Sequence, residues 1–439
     1  MAYPIEPKLA ELSEKIMEYG RLAHEYGADG VSGIWQDIER AMQEAAEKLQ
    51  GLPVDGKLAS QEPNDLRGIQ LLRTNGPRRM WKTFNQSEYK DKLEGAMLAR
   101  FAGCTLGAPV ELWEVDEMKS WAEYIGDAFP PRSYWTRIKN PNHRRYGKST
   151  FYEYTLEGMS GVPVDDDITY TILGLLIAEE HGIHFTTEDV GKSWVKYLPL
   201  ACTAEEVALR NLRAGKTAME AASLENPYCQ WIGADIRSDP WAYIAPGFPS
   251  KAAEYAYRDA YLSHRRNGVY GEMFFSAAQA AAFAVDHPVD ALRTGLTEIP
   301  SECSLYKDIE WALAIGGDIR NYAEAREAVN KRFQGMSPVH TNNNACLTVF
   351  GLMIGGTDVS KVISETVAMG LDNDCTAATA GSIVGAIVGK EGVPAHWHAP
   401  FHDTVKTYMI GAENFKISDL VERFTIVAEQ TYIDSKQEI

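Results

Sequence analysis

Asp165-Asp166-Asp167 and Asp372-Asn373-Asp374 are the residues of this chain best suited to chemistry. Each cluster heads an apolar segment of helical character, Ile168-Thr169-Tyr170-Thr171-Ile172-Leu173 after the first and Cys375-Thr376-Ala377-Ala378 after the second. A single acid suffices to cap a helix N-terminus and favour its dipole. Three in a row, with a second pair elsewhere, exceed that need. Carboxylates packed this closely repel one another unless a cation neutralises them, and hard oxygen ligands suit Mg²⁺, Mn²⁺ or Ca²⁺. The pattern predicts one carboxylate-rich metal centre between two helix starts. The helix after Asp167 is apolar nearly all round, as buried helices are, so the acids at its head are expected to lie deep, where an unpaired charge is costly. A third acid, Glu111, leaves the segment Gly103-Cys104-Thr105-Leu106-Gly107-Ala108-Pro109-Val110. Its glycines permit tight turns and close approach, which makes Glu111 a candidate acid or base; a surface Glu at a helix-to-loop turn is the alternative.

Helices must position these groups. Leu9, Leu12, Ile16 and Tyr19 form one apolar stripe and Trp35, Ile38, Met42 and Ala45 a second, with Gly20 as a candidate stop for the first helix. Residues 51–87 are irregular and rich in Pro and Gly, so residues 1–87 read as a helical N-terminal extension and 88–439 as the main domain, which carries the acidic clusters. Within the latter, helical spacing covers 166–181, 250–262, 270–284, 319–333, 344–354, 358–369 and 375–389, with loops at 127–147 and 224–249. Gly381, Gly385 and Gly389 recur every fourth residue, a spacing that lets two helices approach closely. No P-loop is present, and no Gly-x-Gly-x-x-Gly follows a strand. The expected fold is all-α, with a small strand pair as the lesser alternative.

Composition narrows the function. A chain of 439 residues with 45% apolar content can bury a large core. Its net charge of −18, with no long basic stretch, argues against a nucleic-acid partner. The apolar run Ile383–Val388 is too short to span a membrane. Six scattered cysteines without Cys-x-x-Cys fit neither a zinc ribbon nor a disulfide scaffold, and the N-terminus shows no signal peptide, so a cytoplasmic protein is expected.

The three motif segments together resemble the ADP-ribosylglycohydrolase superfamily, whose signatures are Gly-Asp-x-x-Gly-x-x-x-Glu, a Thr-Asp-Asp helix start and a late Gly-x-Asp-Thr-Asp-Thr/Cys-x-Ala-Ala-x-x-Gly-x-x-x-Gly. The late segment, from Gly370 through Asp372-Asn373-Asp374-Cys375 to Gly381 and Gly385, matches best. The resemblance implies a compact all-α domain that holds two Mg²⁺ or Mn²⁺ ions and hydrolyses a ribosyl C1–N or C1–O bond. It assigns Asp165, Asp166, Asp167, Asp372, Asp374 and Cys375 to the metals and Glu111 with Asp374 to the reaction. It also sets Ser263-His264 with Asn267, and the Gly233 segment, beside the substrate. Departures are visible: Cys104 and Asp165 stand where Asp and Thr are usual, and Asp235 and Asp239 are poor neighbours for a diphosphate. The loop from Tyr134 to His143-Arg144-Arg145-Tyr146 could shape a different aglycone or sugar. ADP-ribosyl-protein is the default substrate, another riboside the alternative within the class, and a catalytically silent structural or ligand-binding relative the alternative outside it.

Overall fold

The computed structural model describes residues 3, 4 and 7–435. The chain divides into two compact units, Met1–Ser60 and Gln61–Ile439. The described residues form 21 α-helices and two two-stranded antiparallel hairpins, so the fold is all-α, as expected.

The first unit contains the helices Leu9–Glu25 and Val31–Gln50. The first of these runs through Gly20 to Glu25 and does not stop at the glycine. Packing is the reason: a Cβ on Gly20 would lie 2.7 Å from the Trp35 indole nitrogen, so the missing side chain admits a neighbour.

The second unit begins earlier than residue 88, because residues 61–87 are tied into it. Ile69 is fully buried in its core. Arg73 and Arg78 pair with the buried Glu298 at 2.5 and 2.7 Å, and Glu62 accepts hydrogen bonds from the Ser304 amide and hydroxyl. This segment has little periodic structure of its own and is held by long-range polar contacts, which no sequence window reveals.

At the centre of this unit the Gln86–Gly107 helix lies against the Asn373–Val388 helix. The first is capped by the Asn85 side chain, which accepts from the Glu88 amide. Both are buried on nearly every face. Glycines set their separation. A Cβ on Gly95 would meet the Gly385 carbonyl oxygen at 2.5 Å, one on Gly107 would meet the Asp374 Cα at 2.5 Å, and one on Gly381 would lie 2.8 Å from the Ala99 carbonyl carbon. The close approach expected of Gly381 and Gly385 is therefore made to the helix carrying Gly95, Gly103 and Gly107. Gly389, whose carbonyl carbon a Cβ on Gly95 would meet at 2.5 Å, joins that approach and also ends its helix in the left-handed region, with φ 71°. The buried Asp166–His181 helix completes the frame, and the segment 144–150 folds into a hairpin of Arg144–Arg145 against Ser149–Thr150.

Candidate metal centre

The glycine-spaced helix pair carries the last turn of the Gln86–Gly107 helix to the head of the Asn373–Val388 helix. The chain then leaves through Ala108–Val110 into Glu111. The Leu112 amide donates to the Leu371 carbonyl at 3.0 Å, which joins the turn holding Glu111 to the turn holding Asp372. Leu112 and Leu371 sit at φ 61° and 60°. Such conformations cost a non-glycine residue on the order of 1 kcal/mol or more and gather where geometry must be held for function. On the third side Asp165 caps the Asp166–His181 helix, its Oδ1 accepting from the Asp167 amide at 3.1 Å. Arg100 anchors this helix from the first: its guanidinium donates to the Asp167 and Ile236 carbonyl oxygens at 3.1 and 2.7 Å and pairs with Asp239 at 3.1 Å.

Two sets of ligand atoms result, each within 4.8 Å of one another: Cys104, Asp165, Asp167 and Asp374 in one, and Glu111, Asp372 and Asp374 in the other. Asp374 belongs to both. The two acidic clusters thus meet, as their burial and repulsion predict. The donor set suits a hard divalent cation with one soft neighbour. Asp374 also keeps its Oδ1 buried with no hydrogen-bond partner; a buried oxygen of that kind is costly unless something bonds it. The residues present therefore fit a cation in the family of Mg²⁺ and Mn²⁺.

A charged side chain already lies among these acids. Arg145, from the hairpin, contacts Glu111 at 2.5 Å through Nη1, Asp165 at 2.7 Å through Nε and Asp374 at 2.6 Å through Nη2. Burial, with added repulsion from Asp374 and its neighbours, raises Asp165, Asp167 and Asp372 well above the ordinary carboxylate range; Arg145 opposes this at Asp165 and Arg100 at Asp167. Asp374 is pushed up to about 7, by burial first and Glu111 next, against the pull of Arg145. Burial and the charges of Asp165, Asp167 and Asp374 raise the Cys104 thiol. For Arg145, burial disfavours the charge, but Asp165, Tyr146, Glu111 and Asp374 outweigh it and hold the guanidinium cationic.

The remaining expected residues fall in different places. Asp166 lines the cleft over this centre but joins neither ligand set. Cys375 is buried next to Asp374 and contributes to neither set. Gly233 lines the cleft with Trp231 and Ile236; a Cβ there would meet the carboxylate of Glu205, itself a lining residue, 2.5 Å from its carbon, so the glycine makes room for that side chain. His264 and Asn267 do not line this cleft. His264 is fully buried with Nδ1 2.8 Å from the Ser263 hydroxyl, and burial together with Arg237 keeps it neutral. Asn267 donates to Glu62 and Gln230 and accepts from the Leu305 amide. Both pack the interior as this structure stands. Asp235 and Asp239 also point inward: each is buried and neither lines the cleft. They set no negative charge against a diphosphate there.

Sequence reasoning left out Arg145 and Cys104 as site residues. Both had a signal, since Arg145 lies in the basic aromatic loop and Cys104 in the glycine-flanked break before Glu111. Tyr146, from the same loop, lines the cleft, as do Tyr170 and Glu205; nothing in the local sequence of the last two marks them.

The family model described as ADP-ribosylglycohydrolase matches residues 85–432. No curated protein matches the chain. Among solved structures, an ADP-ribosylglycohydrolase-related protein complex is similar in fold, with a TM-score of 0.52 and 17% sequence identity over 79% of this chain and 98% of that one.

Proposed function

Because the chain belongs to the ADP-ribosylglycohydrolase family, whose activity is hydrolytic, we propose that it is a metal-dependent hydrolase of a ribosyl C1–N or C1–O bond, with ADP-ribosyl conjugates as the default substrate and simpler ribosides as the alternative. The observation that carries the reading is the sharing of Asp374 between two ligand sets, one of which contains Glu111. Asp165, Asp167, Asp372 and Asp374 are the residues that would hold two Mg²⁺ or Mn²⁺ ions, with Asp166, Cys104 and Cys375 beside them. Bound there, such ions would fix and polarise the sugar hydroxyls.

The chain's own groups account for the remaining chemistry. Glu111 is partly open to solvent at the cleft, so it can receive a proton from an incoming water. Cleavage of a ribosyl bond passes through an oxocarbenium-like state. Glu111 and Asp166, which line the cleft outside the four residues assigned to the ions, favour positive charge at that point without reorganising. Tyr146 and Tyr170 form part of the cleft wall and limit access of bulk water.

Turnover of ADP-ribosyl-arginine, ADP-ribosyl-serine and free ribosides, with Mg²⁺ and with Mn²⁺, tests this reading. Glu111→Gln keeps the shape of the site and removes the base. Turnover of the best substrate is expected to fall by about 10²–10⁴, the usual range for a positioned acid or base, while binding survives. Wild-type rates in the variant would reduce Glu111 to a structural residue. If metal-loaded wild-type protein cleaves none of these substrates, the silent-relative alternative takes its place.

A further inference from the structure

We infer that Arg145 is a displaceable resident cation, whose guanidinium holds the carboxylates of Glu111, Asp165 and Asp374 together and gives them up to a divalent metal ion. The inference rests on the metal reading above. Its ground is that one side chain contacts members of both ligand sets at 2.5–2.7 Å. Each of these contacts uses an oxygen of a metal-ligand candidate. Carboxylate oxygens held by a guanidinium fork are not free for a cation of small radius, so the two compete. Asp374 keeps its other oxygen, Oδ1, buried and without a partner, which gives an arriving ion a first foothold before the arginine leaves.

The contrast with Arg100 shows which arginine can move. Arg100 is fully buried on a core helix and is bonded to two carbonyl oxygens, Thr171 and Asp239. Its loss would leave several buried groups unpaired. Arg145 comes from a two-residue strand beside the turn at Tyr146 and Gly147, both at positive φ. His143, Arg144, Gly147 and Lys148 around it are exposed. Beyond the three carboxylates its guanidinium reaches the Ala108 carbonyl, at 3.3 Å, and lies over the ring of the neighbouring Tyr146, 5.2 Å from its centroid. The flanking hairpin residues face solvent, and the apolar contact next to the arm is that of Tyr146 with the Tyr408 ring, at 5.0 Å.

Room in the cleft points the same way. It measures about 110 Å³, with Arg145 and Tyr146 in its lining. Pockets for small-molecule ligands usually run to about 300–1,000 Å³. Withdrawal of Arg145 clears the ligand atoms and widens the cleft together.

Mn²⁺ binding to chelator-stripped full-length protein, followed by calorimetry, tests the competition. Arg145→Gln is expected to bind Mn²⁺ about tenfold more tightly than wild type, within the range usual for linked binding events. Arg145→Lys, which keeps a charge without the three-way fork, is expected between the two and serves if the Gln variant does not fold. Hydrogen exchange supplies the second readout: in wild-type protein Mn²⁺ should speed exchange of the amides of residues 144–148. Equal or weaker Mn²⁺ binding by the variants overturns the inference. So does tighter binding with no change in hairpin exchange, because the arginine would then be a repelling neighbour that stays in place. If neither wild type nor variants bind Mn²⁺, the metal reading itself fails, and the inference with it.

Discussion

Mn²⁺ or Mg²⁺ is expected to stabilise this protein, and Asp374→Asn to remove most of that stabilisation together with the proposed hydrolytic activity. Asp374 is the one residue common to both ligand sets, so its loss weakens both at once. An ion at one hundred times its dissociation constant stabilises the native state by about 2.7 kcal/mol. Changes even to residues that only support metal ligands cost about 10–100-fold in affinity. A hundredfold loss at the same ion concentration leaves about 0.4 kcal/mol of stabilisation, a shift near the limit of a melting curve. The substitution keeps the side-chain shape and removes a charge from a buried, mutually repelling group, so the stripped variant should still fold. Thermal melts of stripped protein, with and without added Mn²⁺, measure this. A variant that retains the full metal-induced rise in Tm would mean that Asp374 is not a ligand.

Gly381→Val should be among the most damaging changes outside the site. The added Cβ alone would lie 2.8 Å from the Ala99 carbonyl carbon and 3.2 Å from the Arg100 amide nitrogen, both backbone atoms of the facing helix. Backbone cannot rotate aside as a side chain can. Overpacking a core usually costs about 1–3 kcal/mol, and a clash with backbone on both sides belongs at or above the upper end. The effect should also travel. The same helix pair sets Gly107 against Asp374, and Glu111 follows four residues after Gly107. A forced separation therefore moves Glu111 away from Asp374. Denaturant melts should show a loss of about 3 kcal/mol or more, and Mn²⁺ should stabilise the variant less than wild type. Unchanged stability would mean that the helices are not in contact at this register.

Much of the site was legible because it follows from local rules. The head of the Asp166–His181 helix needed only a capping acid before an apolar run, and the observed bounds match the expected 166–181. The late helix and its glycines were readable for the same reason, as was the overall helical character. Other features had no local signature. Gly20 carries the mark of a helix stop, but it serves Trp35 and the helix continues. Residues 61–87 look irregular, yet Ile69, Arg73 and Arg78 tie them into the second unit through partners such as Glu298.

By itself the sequence determined the kinds of groups available: carboxylates at two helix starts, a glutamate after a rigid turn, and helices with small faces. These depend on residue type and on neighbours within a turn or two, where spacing dictates direction. Only the tertiary structure decided which groups share a cation site. It made Asp374 common to two ligand sets, brought Cys104 in, and left Cys375, His264 and Asn267 outside those sets. It also carried Arg145 from a surface hairpin into contact with three acids. The physical reason is that a side chain's partners across a core are set by the separation and register of whole helices, here by where Gly95, Gly103, Gly107, Gly381 and Gly385 let two backbones touch.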